Sequence, residues 1–419
     1  MAEMTEDRTL SWYARSEPLV VVLLTATAVI FFFAVSALSS AFQRQQEARA
    51  NGWFNKGNSD LKSGKLQQAV SDFHTALTYS PDNYDYQLSL AQALLALDKT
   101  EQAYGYLINL WQRQPENGTV NLELARIFAD KGDTNQALRY YHNAIYAVWS
   151  DKSGAEQRAV RLELVTFLLR HGENSQAEAE LIALSGDLPE DAALRAHVGD
   201  LFMDVPDYER ALGEYRQSLK LEHRDAAAMA GAGHAAFELG RYGLAEHYLQ
   251  LAVAANPDDA TSRDLLRTAQ LVLKMDPYQM QITAAQRDRL VVAAFRAAGD
   301  RLKACSAQLQ NAAGKQAVAT SQTQPQSQAT AGSSAPSRNP AQAQATVNSA
   351  DPNSPSNLYA QWLQLNPRIT EHGLQRDPDL IDRAMNLVFS IERQTSDTCG
   401  APTGADLALL LISKLHEAS

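Results

Sequence analysis

The stretch KSGKLQQAVSDFHTALTYSP, residues 62–81, holds a glycine at Gly64, two alanines at Ala69 and Ala76, one large ring between them at Phe73, and a closing Pro81. Ala69, Phe73 and Ala76 stand at i, i+4 and i+7, which places them on one face of a helix. The same alanine returns at Ala103, Ala137, Ala177, Ala211 and Ala245, at intervals of 34, 34, 40, 34 and 34 residues. Four residues beyond each alanine comes a large residue: Phe73, Leu107, Tyr141, Leu181, Tyr215 and Leu249. Seven beyond come Ala76, Leu110, Ala144, Leu184, Ser218 and Ala252. Twelve before each alanine lie Gly57, Ala91, Ala125, Val165, Gly199 and Gly233, mostly small and on a preceding helix. Each unit is therefore two helices that cross where both are thin. Gly64, Gly132, Gly172 and Gly240 mark the turn between them, where a left-handed helix end favours glycine. Asp98 and Pro206 take that place in the second and fifth units.

With Trp53, Gly57, Gly64, Ala69, Phe73, Ala76 and Pro81 in one 34-residue unit, the pattern resembles the tetratricopeptide repeat family. The resemblance covers roughly residues 50–259 as six units, near 50–83, 84–117, 118–151, 158–191, 192–225 and 226–259. It implies an all-α fold, a right-handed superhelical solenoid of helix pairs. Residues 260–276, with Leu265, Leu266, Leu271 and Val272, read as the capping helix that closes a solenoid's last apolar face, so the array runs over 50–276. The tryptophan position is kept only in the first unit, and Trp149 and His223 stand where the third and fifth would close on proline. The 40-residue interval adds six residues near AVWSDKSGAEQ, residues 147–157, where Trp149 is expected to pack on the next helix in place of proline.

Before the array, no charge occurs between Glu17 and Arg44. At about 1.5 Å per residue, residues 19–42 exceed the roughly 30 Å of a bilayer's hydrocarbon core, which predicts a single transmembrane helix after a short tail, 1–18. The rival is a cleavable signal peptide, whose apolar core is usually shorter. Arg8 and Arg15 precede the span and Arg44, Arg49 and Lys56 follow it, so the positive-inside comparison is nearly tied. The expectation adopted is a cytoplasmic tail and an outward domain, as in a bacterial inner membrane with a periplasmic C-terminal part.

After the array, residues 277–310 contain an amphipathic helix with Val291, Phe295, Ala298, Leu302 and Cys305 on one face. Residues 311–357 shift to Ala, Ser, Gln, Thr and Pro with only Lys315, Arg338 and Asp351 charged, the composition of a disordered linker. Residues 358–419 read as a small C-terminal helical module. One helix there is expected to be capped by Asp377, with Ile381, Ala384, Val388 and Ile391 as its buried stripe. Cys305 and Cys399, the two cysteines of the chain, are a possible disulfide, which would go with an oxidising compartment.

The chemistry of the 419-residue chain reads as binding. A net charge of −11 without a basic run disfavours nucleic acid as a partner. None of the nine histidines sits in a His-Glu-x-x-His, and there is no Cys-x-x-Cys, Gly-x-Ser-x-Gly or phosphate loop. No catalytic, cofactor-binding or metal-binding residue is assigned, and no small-molecule substrate is expected. The resemblance places the residue after each small one in the concave groove: Asn58, Gln92, Arg126, Thr166, Asp200 and His234. Leu61, Leu95, Ala129, Leu169, Met203 and Phe237 lie beside them, a mixture suited to an extended peptide or a partner helix. Some family members clamp a chaperone's C-terminal carboxylate with Lys, Asn and Arg, but Phe54, Ser89 and Glu123 stand at those places here, which argues against that ligand. The expected function is a membrane-anchored scaffold for protein partners, in assembly or maintenance of a cell-envelope complex. The alternatives are a cytosol-facing tethered adaptor and, further off, an enzyme using the C-terminal module.

Overall fold

The first helix, α1 (Leu10–Lys62), is one rod of 53 residues. Its apolar part and the first helix of the first repeat are continuous, with no break after Phe42 where a separate start to the repeat array was expected. Gln and Ala are good helix formers and nothing in Gln43–Ala50 breaks the run, so helix propagates across the junction. Val20, Leu24, Phe31 and Leu38 on this rod are exposed to between 52 and 73 %. It is the one helix among the described residues long and apolar enough to cross a membrane.

The computed structural model describes residues 10–149, 154–321 and 354–417, all-α among those residues, with eighteen helices. Parts of three expectations lie outside them: the start of the N-terminal tail, residues 150–153 of the long interval, and residues 322–353 of the linker. The chain falls into two compact units, up to Glu180 and from Leu181 onward.

In the first unit α1 pairs with α2 (Leu66–Tyr79), α3 (Tyr84–Leu95) with α4 (Thr100–Arg113), and α5 (Gly118–Asp130) with α6 (Thr134–Ile145). Then come α7 (Ala155–Arg170) and α8 (Asn174–Ser185), in which the unit boundary falls. In the second unit α9 (Ala192–Asp204) pairs with α10 (Tyr208–Leu221), and α11 (Ala226–Glu238) with α12 (Tyr242–Ala255), which α13 (Ala260–Met275) covers. All six periodic alanines are fully buried, and the large and small residues four and seven beyond them are no more than 2 % exposed. Small residues on the first helix admit the large ones of the second. A Cβ at Gly57 would come within 2.7 Å of Phe73, at Gly199 within 2.9 Å of Tyr215, and at Gly233 within 2.6 Å of Leu249. Each buried ring or leucine so accommodated contributes about 2–3 kcal/mol of apolar burial. The turn glycine Gly64 has φ +74°, and Asp98 adopts the same left-handed place at φ +58°.

Trp149 packs differently from expectation. Its ring fills the space over Gly118 at the start of its own repeat, and its indole Nε1 donates to the Ala144 carbonyl at 2.8 Å. The absence of a side chain at Gly118 makes that backward fold possible.

The second unit ends in α14 (Ala284–Ser321), α15 (Pro355–Leu365), α16 (Glu371–Arg376), α17 (Asp379–Cys399) and α18 (Ala405–Glu417). α14 runs past Asn311 into the stretch whose composition suggests linker, because alanine is also the strongest helix former. α16 is an additional short helix. Asp377 does not cap α17 by its side chain; it closes α16, and its carboxylate accepts from Arg368 at 3.1 Å. Trp362 on α15 stacks on Phe295 of α14 at 5.7 Å between ring centres and donates to the Phe295 carbonyl at 2.9 Å. α18 packs on α13, tying this module to the covered end of the repeats.

Candidate protein-binding surface

The residue after each small one is at least partly solvent-exposed in both units, because its small neighbour occupies the helix crossing and turns the next position outward. The two units then treat these residues differently.

In the first unit two of them, Gln92 and Arg126, are tied together through Glu123. Gln92 Nε2 donates to Glu123 Oε1 at 3.1 Å. Arg126 reaches Glu163 on α7 through two bonds, Nε at 2.8 Å and Nη2 at 2.7 Å, and Glu123 at 3.4 Å. The Tyr141 hydroxyl donates to the same Glu163 at 3.0 Å. Burial pushes the Glu163 carboxyl up, but the Arg126 hydrogen bonds and charge outweigh it and hold the group below the usual carboxylate range. Burial, with the Glu163 carboxylate alongside, pushes the Tyr141 hydroxyl well above its ordinary value. Polar capacity is thus used internally. Asn58 is half-buried on α1, and Thr166 turns its hydroxyl back to the Leu162 carbonyl at 2.9 Å.

In the second unit Asp200 and His234 line one cavity of about 460 Å³. Met203, Tyr208, Ala227, Ala230 and Leu265 supply apolar wall, and four carboxylates, Asp200, Asp204, Glu238 and Asp259, face it. The Tyr215 hydroxyl donates to Asp200 Oδ1 at 2.6 Å. Its ring passes through the space that a side chain at Gly231 would occupy. Burial first, then the Asp200 contact, pushes the Tyr215 hydroxyl far above its ordinary value, so it acts as a neutral donor. His234 lies 3.5 Å from Glu238 one turn on. Asp259 is less available, since it caps α13 by accepting from Ser262 N at 3.1 Å and Ser262 Oγ at 2.6 Å.

Sequence reasoning thus named Asp200 and His234, which share a cavity, and Gln92 and Arg126, which share a network. It did not find Glu163 or Asp204, and it read Tyr215 only as the large residue packed at a helix crossing. Asp259 carries a capping signal, an acidic residue three before Ser262 at a helix start; Glu163 and Asp204 carry none. The neighbours Leu61, Leu95, Ala129, Leu169, Met203 and Phe237 are half-buried. Among the described residues, no group of three or more His, Cys, Asp or Glu is placed to hold a metal ion.

Cys305 on α14 and Cys399 at the end of α17 stand in disulfide geometry, with Cα atoms 5.6 Å apart. Beside them Arg301 pairs with the fully buried Glu392 at 3.3 Å and with Asp406 at 3.0 Å, and donates to Thr395 Oγ1 at 2.7 Å and the Gly400 carbonyl at 3.1 Å.

Residues 60–108 and 199–260 each match the tetratricopeptide repeat family. A tetratricopeptide repeat and J domain-containing co-chaperone of Fusarium oxysporum is 23 % identical over 236 residues, 56 % of this chain and 39 % of that protein. The chain therefore spans about two fifths of the length of the curated relative it matches. Among solved structures, the Pseudomonas aeruginosa pilF protein is 15 % identical with a TM-score of 0.38, over 52 % of this chain and 97 % of that one. The C-terminal part of a repeat protein from Cytophaga hutchinsonii is 14 % identical with a TM-score of 0.42, over 57 % and 92 %.

Proposed function

We propose that this chain, two segments of which match the tetratricopeptide repeat family, is a membrane-anchored scaffold whose second unit holds a segment of a partner protein. The observation that carries the reading is the contrast between the two grooves. The first unit ties Gln92, Glu123, Arg126 and Glu163 to one another, whereas the second sets four carboxylates around a cavity of about 460 Å³ with an apolar wall. Such a mixture recognises a peptide by a few polar contacts and excludes water elsewhere.

The anchor is the apolar part of α1, and the domain beyond it faces an oxidising space, in a cell-envelope assembly. Support comes from the length and exposure of that segment and from the Cys305–Cys399 geometry, which goes with compartments where disulfides persist. Thiol labelling of intact cells with and without reductant tests the side of the membrane. Labelling that needs both permeabilisation and no reductant places the domain inside and removes the envelope reading.

The binding reading is tested by a photo-crosslinking amino acid at Met203 in the full chain, with Gln217 on α10 as a second site. A discrete protein adduct is expected from Met203, lost when Ala230→Arg fills the cavity. Identical adducts from both sites would refute the groove.

A further inference from the structure

We propose that the loop after α6, through Tyr146 and Val148, makes a second contact with the lipid surface beside the anchor; this rests on the reading of α1 as a membrane span. Tyr146 is 76 % exposed and Val148 74 %, while Ile145 and Ala147 between and before them are buried at 4 and 8 %. The two are as exposed as Phe31 and Leu38 in the apolar part of α1, each at 73 %.

The loop is fastened rather than loose. Trp149 is set over Gly118 and bonded to the Ala144 carbonyl, and the Val148 N–H donates to the Glu116 carbonyl at 3.2 Å. With Ala147 and Trp149 turned in, Tyr146 and Val148 are held outward.

A chain of contacts puts this loop at the end of the first unit from which the anchor emerges. The Tyr86 hydroxyl bonds Asn51 on α1 at 2.8 Å. Arg113 donates to the Asp82 carbonyl in the first inter-repeat loop at 3.0 Å, and Glu116 in the second holds Val148 in the third. Successive loops between repeats thus share one end, and the turns at Gly64, Asp98 and Gly132 share the other. From Phe42 to Asn51 the continuous helix rises about 13 Å, against a headgroup layer of roughly 5–8 Å per leaflet. That end therefore faces the bilayer at close range.

Tyrosine beside an aliphatic residue suits the interface, where a ring with a polar tip is half wet. Two side chains offer far less than the roughly 800 Å² per partner of a stable protein interface, which favours lipid over a protein partner. Exposed Asp82 and Glu116 on the same end favour a zwitterionic surface over an anionic one.

The test uses the full chain in phosphatidylcholine vesicles, with the Cys305–Cys399 pair oxidised and one added cysteine carrying a fluorophore. Gln114→Cys reports the inter-repeat end, Asn135→Cys the opposite end, and Val29→Cys the span. Headgroup nitroxide lipids are expected to quench Gln114→Cys about threefold more than Asn135→Cys, and Tyr146→Ser with Val148→Ser to reduce that difference; a difference unchanged in the double variant overturns the contact. Equal quenching at 114 and 135 with Val29→Cys quenched by acyl-chain nitroxide overturns the surface contact alone. An unquenched Val29→Cys overturns the anchor, and the contact with it. Shielding of Gln114→Cys in detergent that grows with protein concentration assigns the loop to a second copy and likewise overturns the proposal.

Discussion

Leu415 on the last helix lies directly over Gly240, the turn of the sixth repeat: a Cβ there would come within 2.7 Å of Leu415 Cδ2. Gly240 also has φ +70°, so two constraints meet at one residue. Gly64 has a similar φ, +74°, with nothing within 4 Å of a Cβ. Gly64→Ala should cost about 1–2 kcal/mol for the left-handed backbone. Gly240→Ala should cost up to about 1 kcal/mol more, because the Leu415 side chain must move aside. Denaturant unfolding of the two variants separates the contributions; equal losses would mean that Leu415 swings away without cost.

Glu392 has no exposed surface, and burial first, with the Asp406 charge adding and Arg301 opposing, pushes its carboxyl up to about 8. A carboxyl whose folded value is raised keeps its proton in the native state after the unfolded chain has lost it. Its stabilising effect is complete below about pH 4.5 and is lost as pH rises through about 8. Thermal unfolding should show the second unit weakening between those values, and Glu392→Gln should flatten the profile.

Glu163 gives the opposite sign. Its folded value is lowered, so its contribution is present above the unfolded value and is lost as pH falls through the folded one. The first unit should therefore weaken in acid. Arg126→Ala removes the cause, leaving Tyr141 as a donor, and is expected to reduce this acid sensitivity; carboxyl NMR titration should find Glu163 moved upward.

Once oxidised, the Cys305–Cys399 bridge closes a loop over a sequence separation of 94. Loop-closure entropy then predicts a loss of about 4–5 kcal/mol on reduction, confined to the second unit. Unfolding with and without reductant measures it, and Cys305→Ser with Cys399→Ser should match the reduced protein.

How far these features are legible in sequence depends on whether they are local. The alanine register is readable because Ala69 and its five counterparts each lie at a helix crossing with no room for more, and all are fully buried. The outward turn of Asp200 and His234 follows from the same phase. The Arg126–Glu163 pair spans 37 residues and depends on how α5 meets α7, which no periodicity encodes. Asp377 resembled a cap by spacing, yet Arg368, nine residues earlier, takes its carboxylate. Composition misjudged residues 311–321 because an alanine-rich stretch serves a linker and a helix alike, and α14 continues through it.

The unbroken α1 leaves the first repeat without a swivel. One residue inserted between Phe42 and Ala50 would turn that repeat about the rod by roughly 100° and send its inter-repeat loops to another compass bearing, whereas seven would bring it back to within about 20° of the original heading. The junction works as a keyed shaft, and its length in residues sets the direction in which the first repeats point.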